Sequence, residues 1–293
     1  MKQYTVFQTY RPLLFSIAYR MLGSAMDAED CVQEAFLRWH RATENAEEEA
    51  VQSPRAFLCT VVTRLCIDQL RSARAKHEAY VGVWLPEPLV TAYEPDPGTS
   101  AELSESLSMA FLLLLEHLSP VERAVFLLHQ VFDYEYAEIA RIVEKSEENC
   151  RQIMHRARQH LAARRPHYDV ASTQREQLMS QFTHACSNGD MEGLLKLLAE
   201  DVILHSDGGG KAPAALNPIY GPSKVARFLL AVLPKVPPGI VWRRAMVNGQ
   251  SGIVGYLDGA ACFVVSLAIV GGCIQEIDVV VNPDKLQHVP LLT

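Results

Sequence analysis

Tyr136–Arg158 reads YAEIARIVEKSEENCRQIMHRAR, and the spacing of its apolar and basic residues decides what kind of chain this is. Tyr136 to Val143 has the period of a short helix, Glu144-Lys145 breaks it, and Ser146 stands where it can cap a last helix running to about Ala163. Just upstream, Ser119-Pro120-Val121-Glu122 has the form of a capping box and starts a helix that continues through Val131. Two short helices around a brief turn predict a helix-turn-helix. The second helix carries Asn149, Arg151, Gln152, His155, Arg156 and Arg158, with no acid after Glu148, while Ile153 and Ala157 supply its inner face. Arg151, Gln152, His155 and Arg156 fall near the half of that helix that meets base edges in a major groove, and Arg158, Arg164 and Arg165 suit phosphates. Gln152 or Asn149 could pair with adenine and an arginine with guanine; the spacing leaves open which.

Working outward, Asp27 to Arg41 is an amphipathic helix. Ala28, Cys31, Val32, Ala35, Phe36 and Trp39 form its apolar stripe, and Asp27, Asp30, Gln33, Glu34, Arg38 and Arg41 form the opposite face. Ser53-Pro54 starts another helix, serine as cap and proline in the first turn. Phe57, Leu58, Val61, Val62, Leu65 and Leu70 are expected to face inward, and Arg64, Asp68, Arg71, Arg74 and Lys76 to form an outer, mostly basic side. Taken alone, the acidic face of Asp27–Arg41 reads more plainly as a solvated surface, and the basic side of the next helix reads equally as one. Phe36, Trp39 and Phe57 could stack on bases, but their helical spacing makes them core residues first. The segment Glu44–Ser53 is the expected place for a base-capturing loop.

Residues 80–100 hold Gly82, Pro86, Pro88, Pro95 and Pro97 and read as an extended linker. Roughly 20 residues at ~3.3 Å each reach up to ~65 Å, more than one DNA turn of ~34–36 Å. After residue 172 the pattern changes. Helices are expected near Thr173–Ser187, Asp190–Ala199 and Ser223–Leu233, and strands near Val202–His205, Ile240–Asn248, Gly252–Leu257, Ala260–Val270 and Ile274–Val281. That order is α+β, a sheet wrapped by helices that often enclose a pocket.

Composition bounds the function. The chain has 293 residues and a formal net charge of -7, yet base is concentrated in Arg55–Lys76 and Arg151–Arg165, which suits specific docking over indiscriminate DNA binding. Seven scattered cysteines without a CxxC pair suit reduced thiols in a cytoplasm, and no histidine falls into a ligand spacing, so no metal and no cofactor is expected. The N-terminus does not read as a signal peptide, and Ala260–Val270 is well short of the ~20 residues that span a bilayer. His184, His205, Asp207, Asp258 and Asp278 are acid/base candidates, but no spacing ties any two together, and a surface or satisfied core role is the plainer reading of each. Asp207–Lys211, DGGGK, is not a Walker A motif, since Ala212 follows the lysine.

Three segments, in this order, resemble the extracytoplasmic-function sigma factors. DAEDCVQEAFLRWHR (Asp27–Arg41) is similar to region 2, SPRAFLCTVVTRLCIDQLRSAR (Ser53–Arg74) to the part that melts and reads the −10 element, and Tyr136–Arg158 to region 4, which reads the −35 element. WLPEP at 84–88, DGGGK at 207–211 and NPDKL at 282–286 resemble marks of the SigJ-like subgroup, in which a SnoaL-like domain of the NTF2 superfamily follows region 4. The turn often has glycine where this chain has Glu144.

The resemblance implies a multidomain chain: two all-α sigma domains (a region 2 helical bundle at 1–79 and a region 4 helix-turn-helix at 101–166), the linker at 80–100, and an α+β NTF2-like cone at 172–293. It implies binding to the β and β′ subunits of core RNA polymerase, with Asp27, Asp30, Gln33 and Glu34 docking on a basic β′ surface. Arg64, Asp68, Arg71, Arg74 and Lys76 would meet the −10 element, and Asn149, Arg151, Gln152, His155, Arg156 and Arg158 the −35 element of promoter DNA. It makes Trp84, Leu85, Pro86, Asp207, Gly208, Gly209, Gly210, Lys211, Asn282, Pro283, Asp284, Lys285 and Leu286 regulatory residues, with the C-terminal domain packed on the sigma domains or linker. The expected function is transcription initiation in the cytoplasm, without catalysis and without a membrane. A self-sufficient helix-turn-helix regulator and a cyclase or isomerase in the C-terminal domain are the alternatives.

Overall fold

The computed structural model describes residues 2–44, 53–78, 80–91, 106–162 and 172–292. In chain order the helices and strands are α1 (Lys2–Leu22), α2 (Ala25–Glu44), α3 (Pro54–Glu78), β1 (Val90–Thr91), α4 (Met109–Leu115), α5 (Pro120–Gln130), α6 (Tyr136–Val143), α7 (Glu147–Ala162), α8 (Ser172–Asn188), α9 (Met191–Leu197), β2 (Leu198–Asp207), β3 (Ile219–Tyr220), α10 (Pro222–Val232), β4 (Val241–Val247), β5 (Gln250–Leu257), β6 (Ala260–Val270) and β7 (Cys273–Val280). They form two compact units, one of Met1–Glu78 with Leu114–Arg165, the other of Ala79–Leu113 with Pro166–Thr293.

The first unit is helical. Ala28, Cys31, Val32, Ala35 and Trp39 of α2 are buried as their spacing predicts, against Leu14, Ile17, Ala18 and Met21 of α1. The aromatics are core: the Phe36 ring lies 4.9 Å from Phe7 and Trp39 lies 5.8 Å from Phe57. On α3 the buried line is rotated from the expected one. It runs Leu58, Cys59, Val62, Thr63, Cys66, Ile67, leaving Val61, Leu65 and Leu70 at its margins. Small residues at 59, 63 and 66 let this side of α3 pack closely, so tertiary fit outweighs hydrophobicity. Arg123 of α5 is buried and donates to the Met21 carbonyl (2.6 Å) and to Glu116 (2.8 Å), tying α5 to the end of α1.

The helix-turn-helix is built by its caps. Ser119 Oγ accepts from the Glu122 amide while Glu122 accepts from the Ser119 amide, the expected capping box. Glu144 takes φ 55° and ψ 50°, the left-handed geometry that glycine would adopt without strain, and Lys145 N bonds to Ala140 O at 3.0 Å. Ser146 Oγ then accepts from Asn149 N at 3.2 Å and starts α7. Cys150, Ile153, Met154, Ala157 and Leu161 turn inward.

The second unit holds one seven-stranded sheet, in the order β1-β4-β5-β6-β7-β2-β3, with β2 and β7 parallel. Three tight hairpins set the register of β4 to β7. Their corners, Asn248-Gly249, Asp258-Gly259 and Gly271-Gly272, have positive φ at both positions, the form that matches strand twist. One face of the sheet packs under Leu178 and Phe182 of α8, Leu194 of α9 and Val225 of α10. The other packs Val247, Val254, Val264 and Val280 against Leu85, Met109, Leu286 and Val289.

That second face changes the reading of the linker. Residues 80–91 are extended, as their prolines require, but they are part of the second unit and not a free tether. Leu85 is fully buried. Val90 and Thr91 pair with Val247 and Met246 as an edge strand, and Asn248 receives the Leu89 amide and donates to the Leu107 carbonyl. Burial of an apolar anchor, with its backbone groups satisfied, outweighs the entropy that would have kept the segment loose. Residues 106–113, expected with the helix-turn-helix, also belong to this unit. The rest of the expected linker, 92–100, and residues 45–52 of the expected loop Glu44–Ser53 lie outside the described residues.

Candidate functional site

In the first unit, Arg151, Gln152, His155, Arg156 and Arg158 are exposed along one side of α7, with Asn149 half-buried at its start. Arg151 bonds Glu147 at 3.1 Å and lies over the Tyr136 ring, and Arg158 donates to Gln130 at 3.0 Å. These contacts steady the side chains without burying their charge. Arg164 and Arg165 lie outside the described residues. On α2, Asp30 and Gln33 are exposed and Asp27 and Glu34 partly so, Glu34 pairing with Arg38 at 2.8 Å.

The basic side of α3 is more committed. Arg64 donates to the carbonyls of Ile142 and Arg141, both at 2.9 Å, and pairs with Glu144 at 2.9 Å. It thus caps the C-terminus of α6, where unpaired carbonyls and the helix dipole attract a cation. Arg71 stays exposed beside Asp68 at 3.5 Å. Arg74 and Lys76 lie on α3, their side chains outside the described ones.

In the second unit the three segments WLPEP, DGGGK and NPDKL meet. Asp207, at the end of β2, is completely buried, and its carboxylate is saturated. Oδ2 accepts from the Leu85 amide (2.8 Å) and Lys285 Nζ (2.7 Å), and Oδ1 from the Tyr80 hydroxyl (2.6 Å) and the Gly209 amide (3.0 Å). Lys285 also donates to the Leu85 carbonyl and lies 4.3 Å over the Trp84 ring. Asn282 donates to the Tyr80 hydroxyl at 2.9 Å and caps the short 3-10 turn Pro283–Leu286. Lys211 pairs with Asp284 at the rim. Pro86 and Leu286 are buried, and Pro283 is exposed. A Cβ on Gly208 would stand 2.2 Å from the Ala212 carbonyl oxygen, and one on Gly209 2.2 Å from Asn282 Nδ2, so the glycines are needed for close approach. Gly210 has φ +70° and packs on Val81. Tyr80 was not singled out from sequence; it adjoins the expected helix end and no local pattern marks it. Burial, and then the Asp207 carboxylate, raise its pKa.

Among the acid/base candidates, His184 is exposed on α8 and Asp258 lies in a hairpin corner. No sequence spacing ties these candidates, but the fold brings His205 and Asp278 together. The parallel register of β2 and β7 sets them opposite one another, and His205 Nδ1 is 3.0 Å from both Asp278 Oδ1 and Glu276 Oε1. Burial works to lower the His205 pKa, but hydrogen bonds to the two carboxylates, with their charge, raise it; burial and the Glu276 charge raise that of Asp278.

The family model of Sigma-70 region 2 matches residues 6–76, and that of Sigma-70, region 4 matches residues 108–161. The ECF RNA polymerase sigma factor SigJ of Mycobacterium tuberculosis is 35% identical over 297 residues, spanning 97% of this chain and 93% of its own length. The chain belongs to the extracytoplasmic-function sigma factors. The probable ECF sigma factor SigI of the same organism is 32% identical over 282 residues, covering 95% of this sigma factor and 93% of its own length. The crystal structure of Mycobacterium tuberculosis SigJ superposes with a TM-score of 0.79 at 34% identity, over 98% of this chain and 99% of that one. The sigma factor has the expected fold class as far as helical sigma regions joined to an α+β domain. None of its described helices is long and apolar enough to cross a membrane.

Proposed function

We propose that this sigma factor docks on core RNA polymerase through Asp27, Asp30, Gln33 and Glu34, engages the −35 element through α7 and the −10 element through α3, and is regulated in cis by its C-terminal domain. The observation that carries the reading is α7 itself: an exposed basic face, without acid beyond Glu148, held behind a capped left-handed turn. Base edges would be read by Arg151, Gln152, His155 and Arg156, and phosphates held by Arg158. Arg71, Arg74 and Lys76 supply phosphate contacts for the opened −10 strand, with Asp68 beside them. Arg64 joins them only after leaving the carbonyls at the end of α6. The acidic side of α2 complements a basic β′ surface and sets register and encounter rate. It has no task in a stand-alone repressor, which disfavours that alternative.

Regulation runs through Asp207 and Lys285. They hold the backbone of Leu85, in the segment between the two sigma regions, so releasing or retaining that segment changes how the regions are tethered. The work of the chain is initiation in the cytoplasm and not catalysis. The experiment adds the purified full chain to core RNA polymerase and promoter DNA and measures run-off transcripts. Promoter-dependent transcripts are expected. Tight binding to DNA by the chain alone, with no transcript on adding core polymerase, would reject the reading in favour of the stand-alone regulator.

A further inference from the structure

Across β6, β7 and β2, the residues Ser266, Asp278 and His205 stand in one row, each the register partner of the next. Glu276, two residues before Asp278, points to the same face of β7. One ligand atom from each of His205, Glu276 and Asp278 lies within 4.8 Å of the others. His205 Nδ1 has one proton at most and stands 3.0 Å from an oxygen of each carboxylate, so it cannot serve both with a full hydrogen bond. Among the described residues, His205 supplies the ion pairs of both carboxylates. Ser266 Oγ, beside Asp278 and buried, closes no hydrogen bond of normal geometry. Two carboxylates and an imidazole converge on one point, with the Ser266 hydroxyl against the Asp278 carboxylate.

We propose that His205, Glu276 and Asp278 bind a divalent transition-metal ion of the Zn²⁺ or Mn²⁺ class, with the Ser266 hydroxyl beside it. A doubly charged ion in place of the shared proton neutralises both carboxylates and leaves the imidazole as a neutral nitrogen ligand. One nitrogen with carboxylate oxygens suits these ions better than Ca²⁺ or Mg²⁺, which favour oxygen alone. Small side-chain adjustments bring the three atoms to the usual ligand distance of about 2.0–2.2 Å. The ion has a way in: the side chains of His205 and Glu276 are 17% and 19% exposed, and Asp278, at 1%, forms the floor. Sequence spacing conceals the set, because its members are joined by a parallel strand pairing between residues about 70 positions apart.

The full-length protein is stripped with EDTA and dialysed against micromolar Zn²⁺, and separately Mn²⁺, and bound metal is counted per chain by mass spectrometry. A single ion per chain is expected, lost in His205→Ala and held more than about tenfold more weakly in Glu276→Gln. Glu276 is near the surface, so Glu276→Gln decides the matter if His205→Ala does not fold. Because the chain has cysteines, Co²⁺ is the spectroscopic probe: nitrogen and oxygen ligands give d–d bands without a thiolate charge-transfer band. No ion retained by the unaltered chain, equal retention by Glu276→Gln, or a cobalt spectrum dominated by thiolate would each overturn the proposal.

Discussion

Lys285 Nζ stands 2.7 Å from Asp207 Oδ2, both side chains buried, and the same two groups close on the carbonyl and amide of Leu85. One ion pair thus satisfies the backbone of a segment more than a hundred residues away in sequence. Breaking such a pair from one side is costly, because it leaves an uncompensated charge in the interior. Lys285→Met should lower the unfolding free energy of the chain by about 3–5 kcal/mol. It should also speed hydrogen exchange at the Leu85 amide. Urea unfolding and exchange mass spectrometry check both, and a loss within about 0.5 kcal/mol with unchanged exchange, the range of ordinary surface substitutions, would contradict it.

Gly209 and Gly189 separate crowding from backbone strain. Both have positive φ, +57° and +67°, but a Cβ at Gly209 meets Asn282 Nδ2 at 2.2 Å, whereas one at Gly189 meets nothing within 4 Å. Gly189→Ala should carry only the left-handed penalty of about 1–2 kcal/mol. Gly209→Ala should cost more, since Asn282 must move and its bond to Tyr80 with it. The two midpoints in a denaturant titration give the comparison directly, and equal losses would show that the close approach carries no weight.

Glu144 holds a strained backbone and an exposed pairing with Arg64 at once. Glu144→Gly relieves about 1–2 kcal/mol of left-handed strain. It removes an ion pair whose partners are 42% and 74% exposed, worth at most about 1 kcal/mol. The variant should be as stable as the parent or slightly more so, with α7 still starting at its Ser146 cap. A clear loss of stability would mean that the Arg64 contact holds α3 to α6 more strongly than its exposure implies.

Truncation after Pro166 should change transcriptional output or promoter range if the C-terminal domain regulates in cis. Run-off transcription with the shortened and full-length chains measures it. Indistinguishable output across promoters would remove the regulatory assignment and leave the sigma regions untouched.

The helical elements were legible because their signals are local. The capping box at Ser119–Glu122, the Ser146 cap and the stripe Ala28, Cys31, Val32, Ala35 can be read within a turn or two, and each has the predicted role. The long-range contacts were not legible. Leu85 reads as part of a proline-rich tether until Asp207 and Lys285 are placed around it, and His205 and Asp278 read as isolated groups until β2 and β7 pair in parallel. Burial of Arg123 and the rotated inner face of α3 likewise depend on neighbours far away in sequence. The three hairpin corners did carry a local signal, Asn-Gly, Asp-Gly and Gly-Gly, which fixes the strand ends more closely than hydrophobic pattern alone.

The most direct test of the central claim is promoter selection by the paired substitution Arg151→Ala with Arg156→Ala, measured as run-off transcription from promoters with intact and scrambled −35 elements. The account predicts that the variant, with its fold and its binding to core polymerase retained, no longer distinguishes the two templates. Selectivity equal to that of the unaltered chain would contradict it.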